Sequence, residues 1–588
     1  NNKQNVYYQT GDKDFNNYMH WVSFQPLLRR IYGCSFLPQH DYGKGGRGWR
    51  DLWQDCLSLL IINPLGVRKM LLDNFRGVRI DGTNATIIGE KQGKFKADRN
   101  NITRVWMDHG VWPLITTKLY IEQTGDFNIL LEKTTYFKDS QISRGEEKDN
   151  SFSQMYGEWL RQENMEIYQG TILEHLLLQN LAAFYDVGEH NHMRLHDADW
   201  NDALDMASKR GESVAFSAVY ADNLESLAEI MDVLNNRIGI KEIELAQEIN
   251  LLLREDEDIY EGYLCKKQIL SRYCNKCRHL ISGIKMNVSC EMISMILKKM
   301  SQWIKMNIQK NEWISVEDYG WFNGYYDDNG RKVEGIRESE VRMILTSQVF
   351  TIMSQTATTE QVAHIVKATD LHLYQKNIGG YRLNTNFHEV KEDLGRMFGF
   401  AYGHKENGAV FSHMVVMYAN ALYKRGFVKE GFKAIHTLYE HGKTFETSKI
   451  YPGIPEYFNE EGRGMYHYLT GAASWYMLTV ITEMFGVKGR WGDLAICPKL
   501  LKVQFDHENR ASIGLRFAGR DLLVVYINTN NKDYGEYQIK EVYLDSNKLE
   551  EHDTRKYNYN KQNIFFIERE IIEQLSKGER HEILIYLE

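Results

Sequence analysis

The chain has 588 residues, 43% of them hydrophobic, enough to bury a large core in more than one domain or in one very large one. Its 71 Lys and Arg against 79 Asp and Glu give a net charge of -8, which argues against a nucleic-acid partner and leaves small polar ligands open. No run approaches the roughly 18 uninterrupted apolar residues of a membrane-spanning helix. The opening Asn1 to Asn5 reads neither as a signal peptide nor as an initiator methionine, so a soluble, cytoplasmic protein whose native start lies elsewhere is expected.

In chain order, helical periodicity recurs at 16–32, 51–62, 158–185, 223–234, 240–253, 342–354, 408–424, 428–439 and 472–485, a pattern that suggests a helical toroid. The polar stretch Lys138 to Ser153 is expected to be an insertion with no core to bury it. Connections at Tyr42 to Trp49, Tyr319 to Gly330 and Tyr451 to Tyr468 are rich in Tyr, Trp and Gly, a composition more often ligand-facing than merely solvated. Of seven cysteines, Cys265, Cys274, Cys277 and Cys290 cluster, and Cys274 to Cys277 is a CxxC. The outer spacings fit no standard zinc pattern and the context is helical, so reduced thiols are expected and no metal is assigned. From about Leu494 the character changes: 513–517, 522–527, 537–544, 564–567 and 583–587 alternate or run apolar at strand length, predicting a small all-β domain joined through Cys497-Pro498-Lys499.

The densest chemistry lies in Asp197-Ala198-Asp199-Trp200-Asn201-Asp202-Ala203-Leu204-Asp205, four carboxylates and an indole in nine residues. Crowded like charges raise one another's pKa, and an adjacent Trp is both a sugar-stacking face and an apolar wall that keeps an acid protonated. An Asp-rich loop capping a helix near Ala203 is the plain alternative. In Gly48 to Asp55, Arg50 and Asp51 sit at a helix start, flanked by Trp49 and Trp53; an N-terminal Asp complementing the helix dipole accounts for the pattern equally well. Glu406 to His413 places a histidine in the first turns of a helix, weak evidence alone. Gly462 to Trp475 puts Thr470 and Gly471 at the N-terminus of an apolar helix, where a hydroxyl and free N–H groups make an anion site, compatible with Thr470 as a plain N-cap.

The sequences WRDLWQD, DADWNDALD, PGIPEYFN (Pro452 to Asn459) and GRGMYHYLTGAASWY followed by FGVKG resemble the inverting disaccharide and oligosaccharide phosphorylases of glycoside hydrolase family 94, in order from about Asn16 to Leu500. The resemblance implies a mainly α protein, with an (α/α)6-barrel catalytic domain over 1–490 that includes an N-terminal linker remnant, and a C-terminal β-sandwich over 491–588. No counterpart of the family's large N-terminal β-sandwich is expected within these residues; a homodimer, or association with such a missing part, is the implied assembly. The Tyr42 to Trp49 loop, the 342–354 helix and the Tyr319 loop are more similar to the β-1,2-oligoglucan branch.

Carried over by residue, the resemblance implies Asp202 as general acid, Arg50, Asp51, Trp200 and Trp49 as substrate-binding, and Arg50, His413, Thr470 and Gly471 as phosphate-binding, with inorganic phosphate a co-substrate and no cofactor. The expected reaction is phosphorolysis of a β-glucosidic bond with inversion, giving α-glucose 1-phosphate, and its reverse. An inverting hydrolase needs a second carboxylate to activate water, whereas phosphate is already an anionic nucleophile and needs a cationic and amide cradle instead. That hydrolase, a non-catalytic carbohydrate-binding protein and a purely structural toroid are the alternatives.

Overall fold

The computed structural model describes residues 6–32, 48–62, 64, 66–88, 92–97, 104–549, 554–559 and 562–588. The protein is mainly helical as far as residue 484, and most of its longer strands follow. Most of the Tyr42 to Trp49 connection lies outside the described residues.

The longer helices are α1 (Lys13–Tyr32), α2 (Trp49–Ile62), α3 (Val67–Phe75), α4 (Trp112–Thr124), α5 (Ile172–Tyr185), α6 (Val214–Val233) and α7 (Tyr263–Lys276). They continue with α8 (Cys290–Asn311), α9 (Leu345–Met353), α10 (Thr359–His372), α11 (Ser412–Lys424), α12 (Val428–Lys443) and α13 (Gly471–Thr479). Side-chain caps begin several of them: Thr171 for α5, Ser213 for α6, Ser289 for α8, a Thr358/Gln361 capping box for α10 and Thr470 for α13.

Helix α13 contacts α2, α2 contacts α4, α4 contacts α6, α6 contacts α9, α9 contacts α11, and α11 returns to α13, so these helices close a ring. Helices α1, α8, α10 and α12 lie against its members α13, α6, α9 and α11. Every residue of α13 is buried, as are residues 345–352 of α9 and 412–423 of α11, which is how a helix reads when protein surrounds it on all sides. Two polar pairs tie ring helices together: Trp475 Nε1 donates to Gln54 Oε1 at 2.8 Å, and Asn420 Nδ2 to Thr479 Oγ1 at 3.1 Å.

Three expectations need correction. The 158–185 segment is helical only from Ile172; before it the chain is extended, bridged at Phe137–Trp159 and Arg161–Ile167. The 240–253 segment opens as a strand, Glu242–Ala246, antiparallel to Lys285–Ser289, because Ile243 and Leu245 alternate inward with the period of a strand, and only Gln247–Leu251 is helical, as a short 3-10 turn. Lys138 to Ser153 is packed rather than solvated: Arg144 is buried and ion-paired to buried Asp186, and Lys138 meets Asp149 at 2.9 Å. Charge pairs, which no hydrophobic period reveals, hold it in place.

The later strands form two sheets. One runs in the order Tyr7–Gln9, Arg510–Phe517, Arg520–Asn528, Arg580–Leu587, Ile539–Leu544, Asn547–Lys548; the other joins Val487–Arg490, Asp493–Ile496, Gln562–Ile567 and Thr554–Tyr559. A strand from the chain's beginning thus completes the first sheet, and the hairpin at Trp491-Gly492 straddles residue 490. Tyr526 Oη donates to the Phe485 carbonyl at 2.5 Å, tying sheet to helices. Among the described residues no helix is long and apolar enough to cross a membrane.

Candidate active site

The carboxylates of the Asp197 to Asp205 loop have different fates. No helix begins at Ala203; residues 200–211 are turns and bends, and the loop pairs with residues 105–107 instead. Asp197 accepts from the Val105 amide at 2.7 Å, and Asp205 is ion-paired to Arg396. Asp199 is fully buried, accepts from Ser213 Oγ at 3.0 Å, and is pushed up to about 7 by burial. Asp202 differs from these three: 44% of its side chain is open, and it is ion-paired to Arg50 Nη1 at 2.8 Å.

Arg50 organises this end of the site. Its Nε and Nη2 donate to the two oxygens of Asp108 at 2.5 and 3.0 Å, and Nη2 also reaches the Asp199 carbonyl at 2.7 Å. Asp108 has no exposed side-chain surface and accepts further from Trp112 Nε1 at 2.7 Å. Burial works against its charge, but Arg50 outweighs burial and holds the carboxyl below the ordinary range. At Asp202 the protein packed around the carboxyl, which leaves one side open, outweighs the pull of Arg50, and the nearby charges of Asp108 and Asp51 act in the same direction, so this carboxyl lies above the ordinary range. A raised carboxyl at the open end of a charge network is suited to proton donation.

The second end is built by a small three-stranded sheet, Val410–Phe411, Pro455–Phe458 and Gly464–His467, whose outer strands feed α11 and α13. Thr470 caps α13 by accepting from the Ala472 amide at 3.0 Å. His413, in the first turn of α11, lies across from it: a Cβ on Gly471 would stand 3.0 Å from His413 Cε1, so glycine lets the ring approach the helix start. His413 is 7% exposed, its Nε2 has no hydrogen-bond partner, and burial lowers its pKa to about 3, with Arg29 acting in the same direction. It is therefore a neutral donor or acceptor and contributes no positive charge.

Two of the expected site residues are engaged within the protein. Arg50, expected to hold both sugar and phosphate, has its guanidinium spread over Asp108, Asp202 and the Asp199 carbonyl. Among the described residues, Arg29 of α1 is a cation close to α13: it donates to the Leu469 carbonyl at 3.1 Å and meets Asp51 and Asp55 at 2.5 Å each. Trp49 is fully buried, edge-on to Trp53 and donating to the His109 carbonyl at 3.0 Å, so it presents no face for sugar stacking. Trp200 does border the site, its ring 5.5 Å from both Phe411 and His413, edge to face. Asp51 keeps 32% of its side chain open while paired to Arg29.

Sequence reasoning missed Arg29, Asp108, Glu406 and Glu456. Arg29 and Asp108 lie in stretches with no motif signal. Glu406 and Glu456 stand inside the motifs already singled out, yet only the fold turns them inward. Burial raises both carboxyls; the charge of Asp202 also raises Glu406, while hydrogen bonding to Thr470 tempers Glu456.

Among the described residues the metal-like grouping is Asp12, His436 and Glu440, outside these motifs and with Lys443 at 2.8 Å from Glu440. Cys274 and Cys277 are buried thiols on and just after α7, raised by burial, and they join Cys265 and Cys290 among the free cysteines.

Comparison with known proteins adds a family match. Residues 285–486 match the catalytic domain of the glycosyl hydrolase 94 superfamily. The chain is 23% identical over 491 residues to a solabiose phosphorylase of Paenibacillus borealis, covering 81% of this chain and 50% of that protein. It is 23% identical over 514 residues to a cellobionic acid phosphorylase of Neurospora crassa, covering 84% and 52%. An N,N'-diacetylchitobiose phosphorylase of Vibrio proteolyticus is 22% identical over 485 residues, covering 78% and 49%. The chain thus spans about half the length of the curated relatives it matches.

Proposed function

We propose that this chain, which belongs to the glycosyl hydrolase 94 superfamily, carries the active site of an inverting phosphorylase of β-glucosides. The closed helical ring supports an (α/α)6 barrel as its frame, and the two sheets support a β-sandwich beside it. Asp202 protonates the glycosidic oxygen. A phosphate oxygen attacks the anomeric carbon from the opposite face, the C–O bond to the leaving sugar breaks, and an α-sugar 1-phosphate forms. Trp200 and Asp51 line the glucosyl subsite.

What carries the reading is the pairing of one open acid with a donor set at a helix start: the unpartnered Nε2 of His413 against Gly471, beside first-turn amides that a helix leaves unsatisfied. Such donors stabilise an incoming anion. Within β-glucosides we propose a β-1,2-linked oligoglucan, on the resemblance of the Tyr319 loop and the 342–354 helix to that branch. A screen of acceptors with α-glucose 1-phosphate, scored by phosphate release, tests both levels. Release with any β-glucoside acceptor supports the class, and preference for β-1,2-linked glucobiose over β-1,4 supports the linkage.

One observation favours a second reading. Glu456 is a carboxylate at the nucleophile's end of the site, where an inverting hydrolase would keep its base. Cleavage that proceeds equally without phosphate would establish that reading.

A further inference from the structure

We propose that Arg144, Asp186 and His196 are positioning residues for the acid: paired side chains that reach from the 138–153 segment to the loop carrying Asp202 and fix where its carboxyl stands. This deepens the phosphorolysis reading and rests on its assignment of Asp202.

The loop and residues 105–108 form one unit. Trp106 is bridged to both His196 and Ala198, the Asp197 amide donates to the Val105 carbonyl at 3.1 Å, and the Met107 amide to the Ala198 carbonyl at 3.0 Å. Both arms end on the same guanidinium, since Asp108 follows Met107 and Arg50 donates to Asp108 and to Asp202. Where the loop is held therefore decides how Asp202 meets Arg50.

His196 is the joint at which the chain enters that unit. Its φ of 52° lies in the left-handed region, sparsely populated by residues other than glycine, so its surroundings must hold it there. The hold is Asp186, directly after α5, which accepts from His196 Nε2 at 2.7 Å. Asp186 is buried and burial opposes its charge, but His196 and Arg144 outweigh burial and keep the carboxyl ionised, below the ordinary range.

Arg144 carries the hold outward. Its Nε donates to Asp186, while its own amide donates to Asp81 Oδ2 at 2.8 Å and its Nη1 to the Asp81 carbonyl at 3.1 Å. A second pair, Glu146 with Arg194, joins the same segment to the chain just before His196. The 138–153 segment, which has no apolar period, thus supplies the outer members of two charge pairs that brace the loop.

The test compares two glucosides on the full chain with phosphate present. One is an unactivated β-glucoside, whose leaving oxygen needs a proton; the other is a dinitrophenyl β-glucoside, whose phenolate leaves without one. Circular dichroism and a thermal melt establish that each variant is folded. His196→Asn is the cleanest change, because asparagine tolerates a positive φ but is too short to reach Asp186. It should lower kcat on the unactivated glucoside about a hundredfold, the order of loss from a small misplacement of a reacting group, and on the activated one by less than about tenfold. The phosphate KM should hold in both. Asp186→Asn should show the same split where it folds, and Asp202→Asn a larger one. A residue that only stabilised the fold would lower turnover of both glucosides alike.

Equal losses on the two glucosides in folded His196→Asn, or no loss on either, overturn the inference, while phosphate-dependent cleavage by the wild type leaves the phosphorolysis reading standing. Equal losses in Asp202→Asn remove the acid assignment and the inference with it. Wild-type cleavage that ignores phosphate overturns the phosphorolysis reading, and a split in His196→Asn then supports the same positioning of a hydrolase's acid.

Discussion

Around Asp202 the strong groups are already paired: Arg50 bridges it to Asp108, and Asp108 is closed off by Trp112. Around Gly471 the reverse holds, with a neutral His413 whose Nε2 is unpartnered and a helix start offering its amides. On the proposed reading the first end can be assembled in advance, because the leaving-group oxygen needs only a proton and a pKa is set by fixed charges. The second end must wait for its partner, since donors that had satisfied one another would have nothing left for an incoming anion. The asymmetry separates an acid whose neighbours are paired from a helix start where, among the described residues, His413 Nε2 has no partner.

The comparison breaks most severely at Asp202. Asp202→Asn should lower the turnover of an unactivated glucoside by about a hundred- to ten-thousand-fold, the usual worth of a positioned proton donor, with the melt unchanged. Asp199→Asn should not reproduce that loss, because the Asp199 side chain is fully buried and bonded to Ser213. Normal turnover in Asp202→Asn would mean that the acid is another residue.

Next in size is Arg50→Ala. It strands Asp108 as a buried, unpaired charge, and breaking such a pair costs about 3–5 kcal/mol, read as a lower urea midpoint. Arg50→Lys should recover little, since Nε and Nη2 grip both oxygens of Asp108 together. Arg50 also pulls the Asp202 carboxyl downward. A general acid loses activity as pH rises through its pKa, so any residual activity in Arg50→Ala should persist to higher pH than in the wild type. A basic limb that moves to lower pH would contradict the assignment.

His413→Ala sharpens the contrast at the other end. Loss of a hydrogen bond to a charged ligand, about 1.5–3 kcal/mol, should raise the phosphate KM by about ten- to a hundredfold and leave the glucoside KM near its original value. Equal loss for both substrates would indicate a collapsed site. The smallest effect is expected from Trp49→Phe, which removes one buried hydrogen bond and some packing and should lower stability by about 1–3 kcal/mol, with no selective change in sugar affinity.

The Asp197 to Asp205 loop and the helix start at Thr470 and Gly471 stand out in the sequence because their chemistry is local, a crowded Asp loop beside an indole and a hydroxyl before an apolar helix, whereas the choice of Asp202 within the loop comes from the family resemblance. The C-terminal strands were legible because their apolar residues run or alternate at strand length. Arg29 was not, because its role comes from α1 lying against α13, a contact with no sequence period. Trp49 shows the converse, a residue whose neighbours are functional but whose own indole is consumed by packing with Trp53 and Phe95. Arg144 was hidden for a third reason: a polar segment looks solvated until its charges prove to be paired inside the fold.

The most direct test of the account is proton NMR of glucoside cleavage with and without phosphate. With phosphate, the first product should be the α-anomer of the sugar 1-phosphate; without it, cleavage should be scarcely detectable, because neutral water would occupy a site built for an anion. Robust cleavage in the absence of phosphate, or a β-anomer as first product, would contradict it.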